Sequence, residues 1–230
     1  MGYDVSFHPI REEEIKEWYW NPVIKGESAE SLRAKASAVI SDVRFLDAWL
    51  ALISDGRHYD PEIPFDCCHG MAIAQIQGFV RPFYYIRGGV FTCLLKKEFY
   101  VNCCRTWEEI LDCDFNRPVW NCMRENYCSG AYITADGVRR IYNALEANHA
   151  GVYQDMIDVF GKDNLPVFVK ALKESIKLGT GLLEATEVVE PNPFDLRQTK
   201  CITNLMNCDF DGVAIYRQIA MAQLGNAIKD

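Results

Sequence analysis

Side chains that could bind a metal or act as nucleophiles are concentrated in one short segment of the sequence. The segment contains His58, Asp60, Asp66, Cys67, Cys68 and His69. Zinc is bound by these residue types, but structural zinc sites usually place their paired ligands a few residues apart, and neighbouring cysteines rarely reach one ion together. The chain has no Cys-x-x-Cys motif. We therefore predict no metal site here and assign no cofactor to the chain.

The same segment allows a cysteine-dependent hydrolase as an alternative. An uncharged helix from about residue 67 to 77 would place Cys67 or Cys68 at its N-terminus, where the helix dipole lowers the pKa of a thiol. The base would be a distant histidine, and His149 is the best candidate because it lies in a predicted loop between two helices. The interpretation we favour is that Asp66 caps the helix and the cysteines are core residues.

An acidic turn followed by aromatic residues is the second feature that could carry a function. Glu12, Glu13 and Glu14 follow Pro9, which fits a helix start, and acids favour the positive end of a helix dipole. Consecutive helical residues point in different directions, so the three acids cannot all be buried. We predict that they and Trp18 form a partner-binding surface. The alternative is that the acids only complement the helix dipole.

Composition excludes several classes of protein. The chain has 230 residues, a net charge of −8 and ten cysteines. It has no basic stripe, which argues against nucleic-acid binding. The longest uncharged run, 67–80, is shorter than the roughly 20 residues that a bilayer span needs. No signal peptide is recognisable, so we expect a cytoplasmic protein with reduced thiols. Phosphate-binding Gly-rich loops, Gly-x-Ser-x-Gly and His-Glu-x-x-His are absent from the sequence.

Hydrophobic periodicity predicts a mainly α fold with a minor β component. Apolar residues recur every three or four positions from Leu32 to Ile53, which indicates one long helix over 28–54. Further helices are predicted at 134–145, 152–160, 164–179 and 216–228, with Thr134 and Asn164 as caps and Gly179 as a stop, and Thr106 with Glu109 forms the capping box of another short helix. Alternation at Tyr3, Val5 and Phe7 predicts a strand, and 83–95 a hairpin. We expect a single globular domain, 1–230, built around the long central helix with a small antiparallel β element.

The opening segment, Met1 to Phe7, resembles the first strand of many small bacterial proteins, including some immunity proteins of polymorphic toxin systems. The resemblance implies an acidic, cytoplasmic, non-catalytic protein that neutralises a toxin by blocking its active site. The negative charge and the missing catalytic motifs agree with this. We therefore predict a non-enzymatic bacterial binding protein whose partner is a protein, such as a basic toxin domain, with the cysteine hydrolase as the alternative.

Overall fold

The structure of the chain is a computed structural model that describes residues 2–58, 67–113, 123–124, 127–128 and 130–227. The strands are β1 Tyr3–Ile10, β2 Phe83–Gly88, β3 Cys104–Arg105, β4 Met123–Arg124, β5 Tyr127–Cys128, β6 Tyr132–Ile133, β7 Gly181–Thr186, β8 Val189–Glu190, β9 Lys200–Cys201 and β10 Cys208–Asp209. The helices are α1 Glu12–Ile15, α2 Asn21–Lys25, α3 Ala29–Ser37, α4 Val43–Gly56, α5 Cys67–Val80, α6 Glu98–Val101, α7 Trp107–Leu111, α8 Ala135–Glu146, α9 Ala150–Phe160, α10 Leu165–Leu178 and α11 Asp211–Ala227. A π-helical segment, Lys16–Trp20, joins α1 to α2, and 3₁₀-helical segments cover Phe91–Lys96, Leu196–Gln198 and Leu205–Asn207.

A six-stranded mixed sheet forms the centre of the molecule, with the strand order β10-β2-β1-β7-β6-β3. Only β10 and β2 run parallel within it; the other neighbouring strands are antiparallel. Pro9 lies inside β1 although proline cannot donate a hydrogen bond to a neighbouring strand. The position is tolerated because β2 pairs with β1 only as far as Phe7, whereas β7 continues to Ile10.

Helices cover both faces of the sheet, and the alternation of side chains along each strand assigns them. Val5 and Phe7 of β1 and Leu182 of β7 face one core, which is completed by α8, α9 and α10. Leu183 of β7 and Tyr132 of β6 face the other core, built with α3, α4, α5 and α7. Because each layer needs the sheet to bury its apolar side, the sheet is the organising element of the fold.

The prediction of one long central helix over 28–54 is wrong. The segment forms two helices, α3 and α4, that are interrupted at residues 38–42. Asp42 starts the second helix, since its Oδ1 accepts a hydrogen bond from the backbone N–H of Arg44 at 2.9 Å. The apolar spacing continues across the interruption because both helices bury residues such as Leu32 and Leu46 against the same core. Helical residues outnumber strand residues as predicted, but the fold is a sheet-centred α+β mixture.

The predicted hairpin over 83–95 is half correct. Its first strand is β2, but the second half is the 3₁₀ segment Phe91–Lys96. Glu184 of β7 explains this outcome: its buried carboxylate accepts hydrogen bonds from the backbone N–H groups of Phe91 and Thr92. A carboxylate at a helix start satisfies donors that would otherwise lack partners.

The other predicted helices are confirmed as α5, α7, α8, α9, α10 and α11. Thr106 and Glu109 form the predicted capping box of α7, and Thr134 caps α8. Asn164 precedes α10 as predicted, but its amide donates to the carbonyls of Arg87 and Phe160 instead of capping the helix. Among the described helices, none has the length and apolar character required to cross a bilayer.

Candidate functional site

The first turns of α1 and α8 lie at the same end of the sheet. Strands β1 and β6 end there, at Ile10 and Ile133, and β3 and β7 begin there, at Cys104 and Gly181. Helix α1 follows β1 after one residue, and α8 follows β6 after Thr134. Polar residues that start helices are therefore brought together from distant parts of the sequence.

Two adjoining pockets form an open trough across this end of the sheet. They have volumes of about 250 and 540 Å³ and share Glu12 and Ala135 in their walls. The first is completed by Arg11, Glu13, Tyr132, Gly179 and Gly181, and the second by Asn102, Cys104, Arg105, Thr134, Asp136 and Arg140. We call this surface the trough. It is lined chiefly by charged and polar groups, unlike typical pockets for drug-sized ligands, which are mostly apolar.

Charges of both signs alternate around the trough. Arg105 donates to Glu12 at 2.8 Å and thereby links β3 to α1. The Arg140 guanidinium donates to the carbonyl of Asn102 at 2.9 Å. Glu13 and Asp136 are exposed, and Asp136 pairs only with the neighbouring exposed Arg139 among the described side chains. A partner bound here would meet exposed carboxylates and guanidinium groups together.

Both helix starts at the trough are capped from within the chain. Thr134 Oγ1 accepts from the backbone N–H of Gly137 at 3.0 Å and donates to the carbonyl of Cys103 at 3.2 Å. Glu14 accepts from the backbone N–H of Arg11 at 2.9 Å. One backbone donor at each helix start is thus satisfied by a side chain of the same segment, and the charged side chains that line the trough are the further groups that a partner could contact.

Tyr132 forms a buried part of the trough wall and is held as a neutral phenol. Burial, followed by the charges of Glu12 and Glu13, raises the pKa of Tyr132 above its ordinary value. Its hydroxyl donates to the carbonyl of Ile10 at 3.1 Å. Gly181 makes room for the ring, because a Cβ there would lie 2.2 Å from the Tyr132 hydroxyl. Tyr132 of β6 thus contacts the end of β1 at Ile10 and the start of β7 at Gly181.

The thiol of Cys104 borders the trough but is a poor nucleophile. Burial, followed by the neighbouring Cys103 and Glu184, raises the pKa of Cys104 above the ordinary value of a thiol. The reactive form of cysteine is the thiolate, which a raised pKa disfavours. Cys104 is therefore not an activated nucleophile.

The structure separates the three acids that the sequence placed in one cluster. Glu13 is exposed and Glu12 is half-buried beside Arg105, and both line the trough. Glu14 is 4% exposed and is held by Arg11 at 2.7 Å and Arg81 at 2.5 Å. Glu14 is consequently a structural residue, and the expected partner-binding cluster reduces to Glu12 and Glu13.

Trp18 is not among the residues that line the trough. Its half-buried ring packs at its edge against Trp49, with ring centroids 5.8 Å apart, and lies below the guanidinium of Arg81 at 5.1 Å. Its carbonyl accepts from the indole N–H of Trp49 at 2.8 Å. These contacts join the π-helical segment to α4 and give Trp18 a structural role.

The proposed nucleophile and base lie in different layers. Cys67 and Cys68 begin α5, which packs on one face of the sheet, whereas His149 precedes α9, which packs on the other. His149 is exposed, and Cys68 is half-buried. The sheet between the layers keeps this pair apart, so the structure does not assemble the predicted Cys–His site.

The remaining members of the histidine and cysteine segment are placed as follows. Asp60 and Asp66 lie outside the described residues, and exposed His58 donates from Nδ1 to the backbone carbonyl of Ser54 at 2.7 Å. Buried His69 contacts the hydroxyl of Tyr19 at 2.7 Å. Within the part of the chain that the structure describes, no three histidine, cysteine or acidic side chains are grouped in a way that could hold a metal ion.

A fully buried polar network lies at the centre of the sheet, and sequence reasoning missed it. His8 of β1 contacts Gln77 of α5 at 2.6 Å and Ser6 at 2.8 Å, and its ring stacks on Phe83. Burial, partly offset by the hydrogen bond to Gln77, lowers the pKa of His8 to about 4. We call Ser6, His8 and Gln77 the central network. A serine and a histidine in contact could suggest catalysis, but both are sealed from solvent.

Most residues of the trough could not be identified from the sequence either. Arg105, Asp136 and Arg140 are ordinary surface residues by type, and they share a site only because β3 pairs with β6 and α8 follows β6. The one available signal was Thr134, whose capping role correctly placed the start of α8.

Comparison of the chain with protein families, with curated proteins and with solved structures gave no match.

Proposed function

We propose that this chain is a non-catalytic protein-binding domain that contacts its partner through the trough, in the manner of an immunity protein that occludes a toxin. The observation that carries the proposal is the exposure of Glu13 and Asp136 beside the guanidinium groups of Arg11, Arg105 and Arg140. Protein interfaces combine such polar groups with arginine, which is enriched in them.

The presence of both acidic and basic side chains in the trough limits which partner surfaces can bind it. Arg11, Arg105 and Asp136 are paired with Glu14, Glu12 and Arg139, whereas Glu13 and Arg140 have no ion pair among the described residues. A purely basic cleft would be attracted by Glu13 but repelled by Arg140. A partner surface that carries both acidic and basic groups satisfies the whole trough. We therefore propose a partner of mixed charge in place of a uniformly basic toxin domain.

The state of the thiols supports a reducing, cytoplasmic setting for this function. The cysteines described as unbridged thiols include Cys93, Cys103, Cys104, Cys113, Cys201 and Cys208. Burial raises the pKa of Cys103, Cys201 and Cys208, which protects these thiols from reaction.

Charge reversal at Glu13 tests the proposal. The genes of toxins and their immunity proteins usually lie side by side, so the product of the adjacent gene is the partner to assay. Glu13→Lys should slow association several-fold at low ionic strength, because it reverses an exposed charge at the contact. Glu30→Lys is the matched control, since Glu30 is also an exposed acid in the first turn of a helix but lies in α3.

Both variants reverse an exposed acid in the first turn of a helix, so a difference in their association rates reports on the trough. Binding kinetics of the wild type, Glu13→Lys and Glu30→Lys should be compared with circular dichroism of each variant. Equal association rates for all three proteins would refute the trough as the contact surface. Failure of the adjacent gene product to bind the wild type would refute the immunity role.

A further inference from the structure

A second open groove lies at the N-terminal part of α10, at the opposite end of this helix from the trough. It has a volume of about 510 Å³. Its floor is apolar and consists of Leu165, Pro166 and Val169 of α10 with Tyr153 of α9, whose side chain is 43% exposed. The groove and the trough share no lining residue.

Three lysines border this apolar floor. Lys162 precedes α10, and Lys170 and Lys173 lie on it. Lys170 is neutralised by Asp209 and by Asp211, the latter at 2.8 Å. Lys162 and Lys173 are exposed and have no ion pair with any described carboxylate, so they supply uncompensated positive charge in a chain whose net charge is −8.

We infer that this groove binds an acidic amphipathic helix of a partner protein. An apolar channel between two helices is the setting in which a third helix docks its apolar face. The part of α10 that lines the groove, Leu165 to Lys173, rises about 12 Å at 1.5 Å per residue, and Lys162 lies in the turn before it. A bound helix of about three turns would therefore reach both lysines. Acids flanking the apolar face of that helix would meet the two lysines.

The distribution of charge favours a helix over an amphiphilic lipid. A fatty acid has one charged head and needs an enclosed apolar cavity for its chain, whereas this groove is open and its two unpaired lysines, Lys162 and Lys173, precede and follow its apolar residues on the chain. The inference does not depend on the trough, since the two surfaces share no lining residue and lie towards opposite ends of α10.

A designed peptide tests the inference. The probe is a fluorescein-labelled helical peptide of about 11 residues, three turns long, with leucines on one face and glutamates beside them. Its binding to the full chain is measured by fluorescence anisotropy. We expect saturable binding to the wild type and at least about a tenfold loss of affinity in Lys162→Glu/Lys173→Glu, because two attractions become repulsions.

Matched controls separate docking from non-specific attraction. Lys177→Glu reverses an exposed lysine in the last turn of α10, outside the groove, and should bind like the wild type. A second probe with lysines in place of the glutamates should bind the double variant better than the wild type. The inference is overturned if the acidic probe does not bind at millimolar concentration. It is also overturned if Lys177→Glu weakens binding as much as the double variant, or if a fatty acid displaces the probe.

Discussion

The central network and the trough both involve β1, yet they use polar residues in opposite ways. Ser6 and His8 lie in the middle of the strand, where α5 covers them and each is almost inaccessible to solvent. Arg11 and Glu13 follow the end of the same strand and are exposed. The difference shows that position along the strand decides the role: a covered polar group must be satisfied internally, whereas one at an uncovered end remains available to a partner.

The adjacent residues Glu13 and Glu14 allow the same comparison between an exposed and a buried polar side chain. Glu14→Ala should lower the free energy of unfolding by about 4 kcal/mol. It leaves Arg81 without its buried carboxylate partner and removes the acceptor of the hydrogen bond from the Arg11 backbone N–H. Glu13→Ala should change it by less than about 0.5 kcal/mol, as for most surface substitutions. Urea unfolding of both variants measures the difference, and similar losses would show that the boundary between core and trough is misplaced.

The central network should make stability depend on pH in a range set by His8. Above pH 6.5 the imidazole is neutral in both the unfolded and the folded chain. As the pH falls from 6.5 towards about 4, the unfolded chain gains a proton that buried His8 cannot accept. Stability should therefore decrease by about 3 kcal/mol over this range.

Two histidine variants isolate this contribution from that of the carboxylates. His8→Asn should remove the dependence, while His149→Asn, a change at an exposed position, should retain it. The measurement is the free energy of unfolding at several pH values between 4 and 7. An identical pH profile for the wild type and His8→Asn would contradict the buried neutral histidine.

The rates at which two cysteines react also compare an exposed side chain with a half-buried one, and here the expected effect is smaller. Cys93 is exposed, whereas Cys104 borders the trough with a raised pKa. Iodoacetamide at neutral pH should modify Cys104 more than about tenfold slower than Cys93. Mass spectrometry of the peptides over time gives both rates. Rapid, selective modification of Cys104 would instead indicate an activated thiol in the trough and would favour a catalytic role.

Local signals in the sequence were sufficient for most helices and for the first strand. The caps at Thr106 and Thr134 and the glycine after α10 act within a few residues, so they could be recognised without tertiary information. The interruption between α3 and α4 was missed because the apolar spacing continues across it. Strand β7 was missed because buried Glu184 interrupts its apolar run, and the partners of Glu184 lie more than 90 residues away.

The candidate site was only partly predictable for the same reason. Glu12 and Glu13 could be identified as candidates because they form an acidic run. Arg105 and Arg140 line the same trough only because β3 pairs with β6, and no local pattern predicts that pairing. Glu14 and Trp18 looked equivalent to their neighbours in sequence. Their burial follows from the approach of Arg81 and Trp49, which belong to other elements.

Amide hydrogen exchange of the chain with and without its bound partner tests the central claim most directly. If the trough is the contact surface, exchange should slow at residues 102–106 and 134–138, which include β3 and the first turn of α8. The exposed first turn of α3, around Glu30, should exchange at the same rate in both states. Unchanged exchange at 102–106 and 134–138, together with protection elsewhere on the molecule, would contradict the claim.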